Sequence, residues 1–373
     1  MNQVCYKKEL DELINNKQYM ISNHIKQELL LPIINSQLIS AIKNPSIKSY
    51  FNKINFFPEK NIKLDQIPFI PVNMFKEFDL STCEKDEIIK IVHSSSTTSL
   101  IPSSIPINKS TSLRQSKALY SILKTILGKR RRPFVVLDTP SVNTFQNHLS
   151  ARGAAIRGLS FFSKGIYYMM KSEKGDKLIV EEDNLNFVIK ELHDSDVFIF
   201  GFTYIIWSVF IPFILKLKIR IQFKKVIILH SGGWKKLNDQ RVTKQEFNKK
   251  LESIIESESL EIIDFYGMAE QMGVIFPDCK YLNKHVPDFA EIIIRDPLSL
   301  KECSIGQSGL IEIISALSDS YYSQAILTDD LGIMLGVDNC PCGKKGKYFK
   351  LLSRVEQIEI RGCGDTYASK EYE

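Results

Sequence analysis

The sequence lacks the marks of several large protein classes. Its first residues, Met1-Asn2-Gln3-Val4-Cys5, hold no apolar run of signal-peptide type, and a helical pattern starts almost at once. Seven cysteines, an odd number, are scattered over 373 residues. A disulfide framework is therefore disfavoured, and a reducing, cytoplasmic location is expected. No Gly-Lys-Ser/Thr phosphate-binding motif occurs, which argues against a P-loop ATPase. The net charge is only +6, and no zinc-finger or RNA-binding motif accompanies it, so nucleic acid is not an expected partner. The basic excess sits partly in Lys129-Arg130-Arg131-Arg132 and partly between residues 216 and 225, and it favours anionic substrates or partners. There is no internal repeat and no low-complexity tract. Residues 197–215 carry no charge and reach membrane-spanning length. They contain Gly201, Thr203, Ser208 and Pro212, however, and lie between an acidic turn and a basic run. A buried strand, a loop and a buried helix are expected there, with no membrane span.

What is present is enough for a large core and two or three domains. Residues 1–50 read as helical, with Leu10, Leu13 and Ile14 on one face and Ile21, Ile25, Leu29 and Leu30 on another. Pro32 is expected at or near a helix start. Residues 67–76, with Pro68 and Pro71, look like an extended arm over a surface, or a linker. From residue 88 the pattern is strand, loop, helix. Strands are expected at 88–92, 134–137, 187–189, 197–200 and 226–230. Helices are expected at 110–128, with Leu113, Leu119, Ile122, Leu123 and Ile126 inward, and at 244–255. Short, nearly all-apolar strands belong in a parallel sheet covered on both faces, with functional residues at the carboxyl ends. From about residue 290, alternating strands (290–295, 309–314, 358–360) point to a smaller antiparallel subdomain. The fold class is α/β, divided as a helical region and arm (1–82), an α/β core (83–289), a β-rich subdomain (290–353) and a short terminal segment (354–373).

Three stretches can build a nucleotide site. Ser94, Ser95, Ser96, Thr97, Thr98 and Ser99 follow a strand, and their amides and hydroxyls can surround phosphate oxygens; alone, such a run is more often a plain loop. In Asp264-Phe265-Tyr266-Gly267-Met268-Ala269-Glu270-Gln271, Tyr266 can stack on a base and Gly267 lets backbone come close. Glu270 can hold Mg²⁺ and the phosphates. A core tyrosine and a surface glutamate fit the same residues equally well. In Thr328-Asp329-Asp330, Asp330 suits ribose hydroxyls, or the pair simply makes a turn. Gly232-Gly233-Trp234 either lines the purine or acyl side of a cleft or forms a tight turn. Cys340-Pro341-Cys342 is a close thiolate pair, and Cys279 and His285 can complete a closed, structural zinc set. Cys363, beside Arg361, is either a thiolate acyl carrier or a bland free cysteine.

These residues resemble a known family. Tyr266-Gly267-Met268-Ala269-Glu270 is similar to the Tyr-Gly-x-Thr/Ser-Glu motif of adenylate-forming enzymes, and residues 93–99 to their phosphate loop. Thr328-Asp329-Asp330 resembles their Thr-Gly-Asp, and Ser353-Arg354 their hinge Gly-Arg. Within that superfamily the sequence resembles the acyl-protein synthetases, the long-chain fatty acid–luciferin component ligases, through Ser150-Ala151-Arg152-Gly153, Gly201-Phe202-Thr203, Gly232-Gly233-Trp234-Lys235 and Arg361-Gly362-Cys363. The likeness covers nearly the whole chain. It implies an adenylate-forming large-domain fold of layered, mostly parallel sheets. It implies ATP and Mg²⁺ as cofactors and conversion of a carboxylic acid, such as a fatty acid, to an acyl-adenylate with release of pyrophosphate. Cys363 then takes the acyl group and hands it to a partner acyl reductase. By the same resemblance Asp330 binds ribose, Arg354 marks the hinge, and Ser96, Thr97, Thr98 and Glu270 serve the phosphates. Cys279, His285, Cys340 and Cys342 are similar to a zinc set in phenylacetate–CoA ligase-like relatives.

Departures are visible. Ser96 and Ser99 replace loop glycines that let amides approach phosphate without a side chain. Ala269 lacks a hydroxyl and Asp329 replaces glycine. The 19 residues after Arg354 are too few for the mobile carboxyl-terminal domain of larger relatives. Two other readings stand beside the first. In one, the acyl group goes to a pantetheine thiol of CoA or an acyl-carrier partner in lipid or surface-polysaccharide synthesis. In the other, the chain is a non-catalytic scaffold. An oligomer is compatible with all three.

Overall fold

The computed structural model describes residues 3–58, 62–93, 103–143, 151–173, 177–234 and 241–354. Three helices come first: α1 (Gln3–Asn15), α2 (Asn23–Ala41) and α3 (Pro45–Lys53). Leu10, Leu13 and Ile14 are buried on α1 as their spacing requires. On α2 the expected face is half right. Leu30 is buried, but Ile25 and Leu29 are 49% and 37% exposed. Lys26 takes an inward position instead, its ammonium wholly buried 3.3 Å from the Glu291 carboxylate. That pair fixes the rotation of the helix and sends Ile25 and Leu29 outward. Pro32 lies inside α2 rather than at a start. It removes one helical hydrogen bond, and burial of the adjacent Ile33 and Ile34 offsets the loss.

The proline-rich arm is laid down as a strand and a short helix. β1 (Ile70–Pro71) runs parallel to Ile326–Leu327, and α4 (Met74–Glu77) follows. The arm is pinned by Tyr50, which donates to the Phe69 carbonyl at 2.7 Å. Arg295 also pins it, with its guanidinium 4.8 Å from the Phe69 ring centre and a bond to the Asp65 carbonyl. β2 (Ile88–His93) is the expected strand, but it closes a hairpin with β3 (Ser104–Asn108), which the serine- and proline-rich sequence concealed. α5 (Lys109–Leu127) is capped by the Asn108 side chain, which accepts from the Thr111 amide at 2.8 Å, and stops at Gly128 with φ +68°. Its inward face holds Leu119, Ile122, Leu123 and Ile126, but Leu113 is 56% exposed. Arg114 and Gln115 occupy that side instead, bonded to Asp319 and Tyr321.

The parallel layer consists of β4 (Arg132–Val136) and β5 (Ser163–Tyr168), with α6 (Ala151–Ser160) between them, and three later strands. A small antiparallel pair, β6 (Met170–Ser172) and β7 (Leu178–Val180), precedes α7 (Glu182–Leu192). Residues 187–189 thus belong to a helix, not a strand, because Leu185, Val188 and Leu192 are buried at helical spacing. β8 (Asp196–Phe202) passes without a loop into α8 (Thr203–Ile205), a π-helical turn (Ile206–Phe210) and α9 (Ile211–Leu217). β9 (Ile221–Ser231), α10 (Lys244–Ile254), β10 (Ile255–Gly267) and β11 (Ile275–Pro277) complete the layer. The order is β11-β10-β9-β8-β4-β5, with only β11 antiparallel.

Alternation along the strands divides the interior. Phe134, Val136, Phe198, Phe200 and Leu229 point into one apolar core, shared with α1–α3, the arm and the later sheet. Val135, Val197, Ile199, Val226 and Ile228 point into a second, under α7, α9 and α10. Strands flanked by two cores have no polar face, which is why they read as unbroken apolar runs. The antiparallel sheet is β12 (Lys284–His285), β13 (Ala290–Arg295), β14 (Ser308–Ser315), β15 (Ala325–Val337) and β16 (Lys347–Arg354), in the order β12-β16-β15-β14-β13 with β1 beside β15. The strand expected at 358–360 lies outside the described residues. Among the described residues, no helix is long and apolar enough to cross a membrane.

Candidate nucleotide site and cysteine cluster

β10 delivers Tyr266 and Gly267 to its carboxyl end, where β11 turns back against it with Tyr266 opposite Phe276. The Tyr266 ring stacks on Phe276, with centres 5.8 Å apart, and meets Phe349 edge-on. Its hydroxyl donates to the Asp330 carboxylate at 2.7 Å. Asp330 is held from its own side as well. Its amide donates to the Thr328 hydroxyl at 3.1 Å, and that hydroxyl donates to the Ile311 carbonyl at 2.8 Å. Arg354 lies across from Asp330 in the β15–β16 register, with its guanidinium 3.8 Å from Asp329. Burial raises the Asp330 carboxyl, and the Tyr266 hydrogen bond and Arg354 oppose that rise. Gly267 is needed for its own partner strand: a Cβ would stand 3.1 Å from Ile275 and 3.3 Å from the Val274 carbonyl.

Glu270 sits one step further, on the single helical turn Ala269–Gln271, and is only 5% exposed. Burial pushes its carboxyl up, while Ser103, Arg354 and Lys76 favour the ionised form. Ser103 is the residue before β3, so the start of that strand lies beside Glu270. Lys76 arrives with the arm. Its neighbour Phe75 packs edge-on to Tyr321 at 5.9 Å, and the Tyr321 hydroxyl donates to the Glu270 carbonyl at 3.0 Å. The sequence reading missed both residues. The signal for Lys76 was a cation in an otherwise apolar, proline-rich arm.

Gly232 and Gly233 follow β9, one strand over from Tyr266. Gly232 has φ +87°, and a Cβ there would lie 2.9 Å from the Phe202 ring. At Gly233 a Cβ would meet nothing within 4 Å among the described residues. The order of strands reverses between β4 and β8, the kind of switch point at whose carboxyl ends open parallel sheets bind ligands. There the buried Asp138 accepts from Arg152 Nε at 2.8 Å. Beneath lies a polar group that sequence reasoning also missed. His230 Nδ1 is 2.9 Å from the Thr203 hydroxyl and 3.9 Å from Asp264, which in turn meets Lys244 at 3.0 Å and Lys284 at 2.9 Å. Burial pulls the His230 imidazole down to about 4. Ser94, Ser95, Ser96, Thr97, Thr98, Ser99 and Cys363 lie outside the described residues.

The second constellation is the cysteine cluster. Cys279 follows β11, His285 is on β12, and Cys340 and Cys342 occupy the β15–β16 turn. Their four ligand atoms all lie within 4.8 Å of one another. His285 Nε2 is 3.2 Å from Cys342 Sγ. The Tyr281 amide points at Cys279 Sγ at 3.4 Å and the Asn283 side chain at Cys340 Sγ at 3.7 Å. Gly343, with φ +86°, closes the turn by donating to the Cys340 carbonyl. Burial drives the His285 imidazole down to about 3, so it is neutral and has a lone pair to offer. Three sulfurs and one neutral imidazole converging from two tight turns fit a tetrahedral divalent ion.

The profile of the family described as acyl-protein synthetase, LuxE, matches residues 2–371. The chain belongs to the acyl-protein synthetase family. The long-chain-fatty-acid–luciferin-component ligase of Vibrio harveyi is 32% identical over 141 residues, 38% of this chain and 36% of that protein. The ligase of the same name from Aliivibrio fischeri is 28% identical over 153 residues, 40% of each chain. These matches therefore span less than half the length of either relative. Among solved structures, 2-hydroxyisobutyryl-CoA ligase in complex with 2-HIB-AMP and CoA superposes with a TM-score of 0.66 at 14% identity, over 91% of this chain and 70% of that one. The same ligase in its postadenylation state gives 0.64 at 15% identity, over 91% and 69%. The fold of this acyl-protein synthetase family member is thus that of the adenylate-forming large domain.

Proposed function

We propose that this chain activates a carboxylic acid with ATP. A carboxylate oxygen attacks the α-phosphorus, the bond to the β-phosphate bridge breaks, and pyrophosphate leaves an acyl-adenylate. The observation that carries the reading is the convergence of Tyr266, Asp330, Arg354 and Glu270 at one end of the sheets, in a family member of this fold. Asp330, oriented by Tyr266, would accept from ribose hydroxyls. Glu270 would hold Mg²⁺, which when bound neutralises phosphate charge. Lys76 would supply a donor on the same side. Long-chain fatty acids are the substrate class suggested by the names of the two ligases. Cys279, His285, Cys340 and Cys342 would hold a structural Zn²⁺, closing the β15–β16 turn onto β12 and the turn after β11.

A thiol then attacks the acyl carbon and AMP leaves. We favour a pantetheine thiol, of CoA or a carrier protein, because a solved structure that shares this fold is a CoA ligase. Transfer to Cys363 is the second reading, supported by the family match running past that residue to 371. The deciding experiment is acid-dependent exchange of labelled pyrophosphate into ATP over short, long and hydroxylated acids. Cys363→Ser with CoA or a holo acyl-carrier protein as acceptor then separates the two thiols. Absence of exchange with every acid, together with absence of ATP binding, would leave only the scaffold reading.

A further inference from the structure

The two basic runs of the sequence are brought together at the end of the parallel sheet opposite the nucleotide site. Arg130, Arg131 and Arg132 lead into β4, Lys164 opens β5, and Lys224 and Lys225 lie in the first half of β9. With Asp194, Ser195 and Asp196 ahead of β8, they line a cavity of about 340 Å³. The register explains the convergence: Arg132 stands opposite Ser163, and Asp196 opposite Lys225. Six cations face two carboxylates there, a local excess of four charges in a chain whose net charge is +6. Only one ion pair forms among these groups, Arg130 to Asp196 at 3.2 Å.

We propose that this cavity is the docking surface for an acidic face of the protein that bears the accepting thiol. The inference rests on the proposed adenylation followed by transfer to a protein-borne thiol. A small ligand is a poorer fit. Small-molecule sites are enclosed and mostly apolar, whereas Arg131, Lys164, Lys224 and Lys225 all project into solvent and the only apolar residue of the lining is Pro133. Clustered exposed cations steer and orient a complementary acidic surface, with strong dependence on salt. The location separates docking from chemistry. From Lys224 to Ser231 the extended strand covers about 23 Å. Charge changes here therefore leave adenylation intact.

The test uses the full chain and a holo acyl-carrier protein as the acidic probe. Affinity is measured at low and moderate salt for the native sequence and for Arg131→Glu/Lys224→Glu, with Arg131→Ala/Lys224→Ala as a milder pair. Labelled acyl transfer to the carrier and to free CoA is followed in parallel. The native chain should bind the carrier, losing about tenfold or more in affinity as salt rises, and the charge reversal should cost at least about tenfold. Transfer to CoA and pyrophosphate exchange should not change, which also shows that the variants fold. Equal carrier affinity in native and reversed chains, or no carrier binding by the native chain, overturns the proposal. An equal loss with carrier and CoA also overturns it, in favour of a site for a free phosphate group. Stronger capture of an oligonucleotide than of the carrier overturns it in favour of nucleic acid. Carrier binding without pyrophosphate exchange in the native chain would sink the adenylation reading alone.

Discussion

The Tyr266 hydroxyl donates to Asp330 at 2.7 Å, tying the end of a parallel strand to an antiparallel strand 64 residues later. If Asp330 takes ribose hydroxyls as proposed, the bond sets the carboxylate in advance, so orientation is not lost on binding. Tyr266→Phe keeps the ring packed on Phe276 and Phe349 and deletes only this bond. Its KM for ATP in pyrophosphate exchange should rise about tenfold, the usual worth of a hydrogen bond to a charged group. Asp330→Ala should raise it further. An unchanged KM in the phenylalanine variant would mean that Thr328 alone orients Asp330.

Lys76, 194 residues before Glu270 in sequence, favours its ionised form. Glu270→Gln keeps size and burial but removes the charge that would hold a magnesium ion under the proposed role. Exchange should fall by about a hundredfold, and the Mg²⁺ concentration giving half-maximal rate should rise. If Lys76 faces the phosphates as proposed, Lys76→Met should cost about tenfold, with partial rescue by Lys76→Arg, since a cation near developing charge matters more than its exact shape. A methionine variant with native exchange would limit Lys76 to holding the arm down.

Local features of the fold were partly legible and long-range charge pairing was not. β4, β8 and β9 declared themselves through apolar runs, and β13 and β14 through alternation, whereas β5, with Lys164 and Gly165, carries no such run. Ile25, Leu29 and Leu113 were read as inward because apolar spacing carries no knowledge of Lys26 meeting Glu291 or of Arg114 meeting Asp319. Those partners lie more than 200 residues away in sequence and decide which side of each helix is buried. The hairpin strand at 104–108 was hidden by Pro106, which β-propensity counts against, although a two-stranded ribbon tolerates it. At the site, the motif residues were visible because their spacing is local. Lys76 and Ser103 reach Glu270 only through the arm and the hairpin, which no spacing rule connects. His230 looked like the end of a strand, and its partners Thr203, Asp264 and Lys284 come from three other segments.

The cysteine cluster links β12, the β15–β16 turn and the turn after β11. If it holds zinc, the purified chain should carry about one zinc ion per molecule, measured by elemental analysis. Strong chelation or Cys340→Ser should then lower Tm by several degrees, because metal binding to such a site is coupled to folding. The KM for ATP should change much less than stability at low temperature, since none of the four ligands contacts Tyr266, Asp330 or Glu270. A fully metal-free chain with native Tm would remove the structural role.

His230 gives a pH dependence whose sign follows from its burial. The folded imidazole is held down to about 4 by burial, against Asp264, while Lys284 and Lys244 reinforce the fall. The unfolded side chain titrates near its ordinary 6.5. Between those values the unfolded chain binds a proton that the folded chain refuses, so stability falls as pH drops through 6.5 toward 4. This single group should cost about 2 kcal/mol between pH 7 and pH 5. Asp264 does not overlap that window. Burial raises its carboxyl, but Lys284, His230 and Lys244 together hold it below the usual range, so its contribution is lost only under more acid conditions. Asp288, which burial pushes up to about 6, works in the opposite direction over part of the same interval. The comparison must therefore be with His230→Asn, whose amide can keep the Thr203 contact but does not titrate. Urea unfolding of both proteins at pH 7 and pH 5 should show a stability loss in the native sequence that is about 2 kcal/mol larger than in the variant. Equal losses would mean that His230 takes up its proton in the folded chain, stabilised by Asp264 more than burial opposes it.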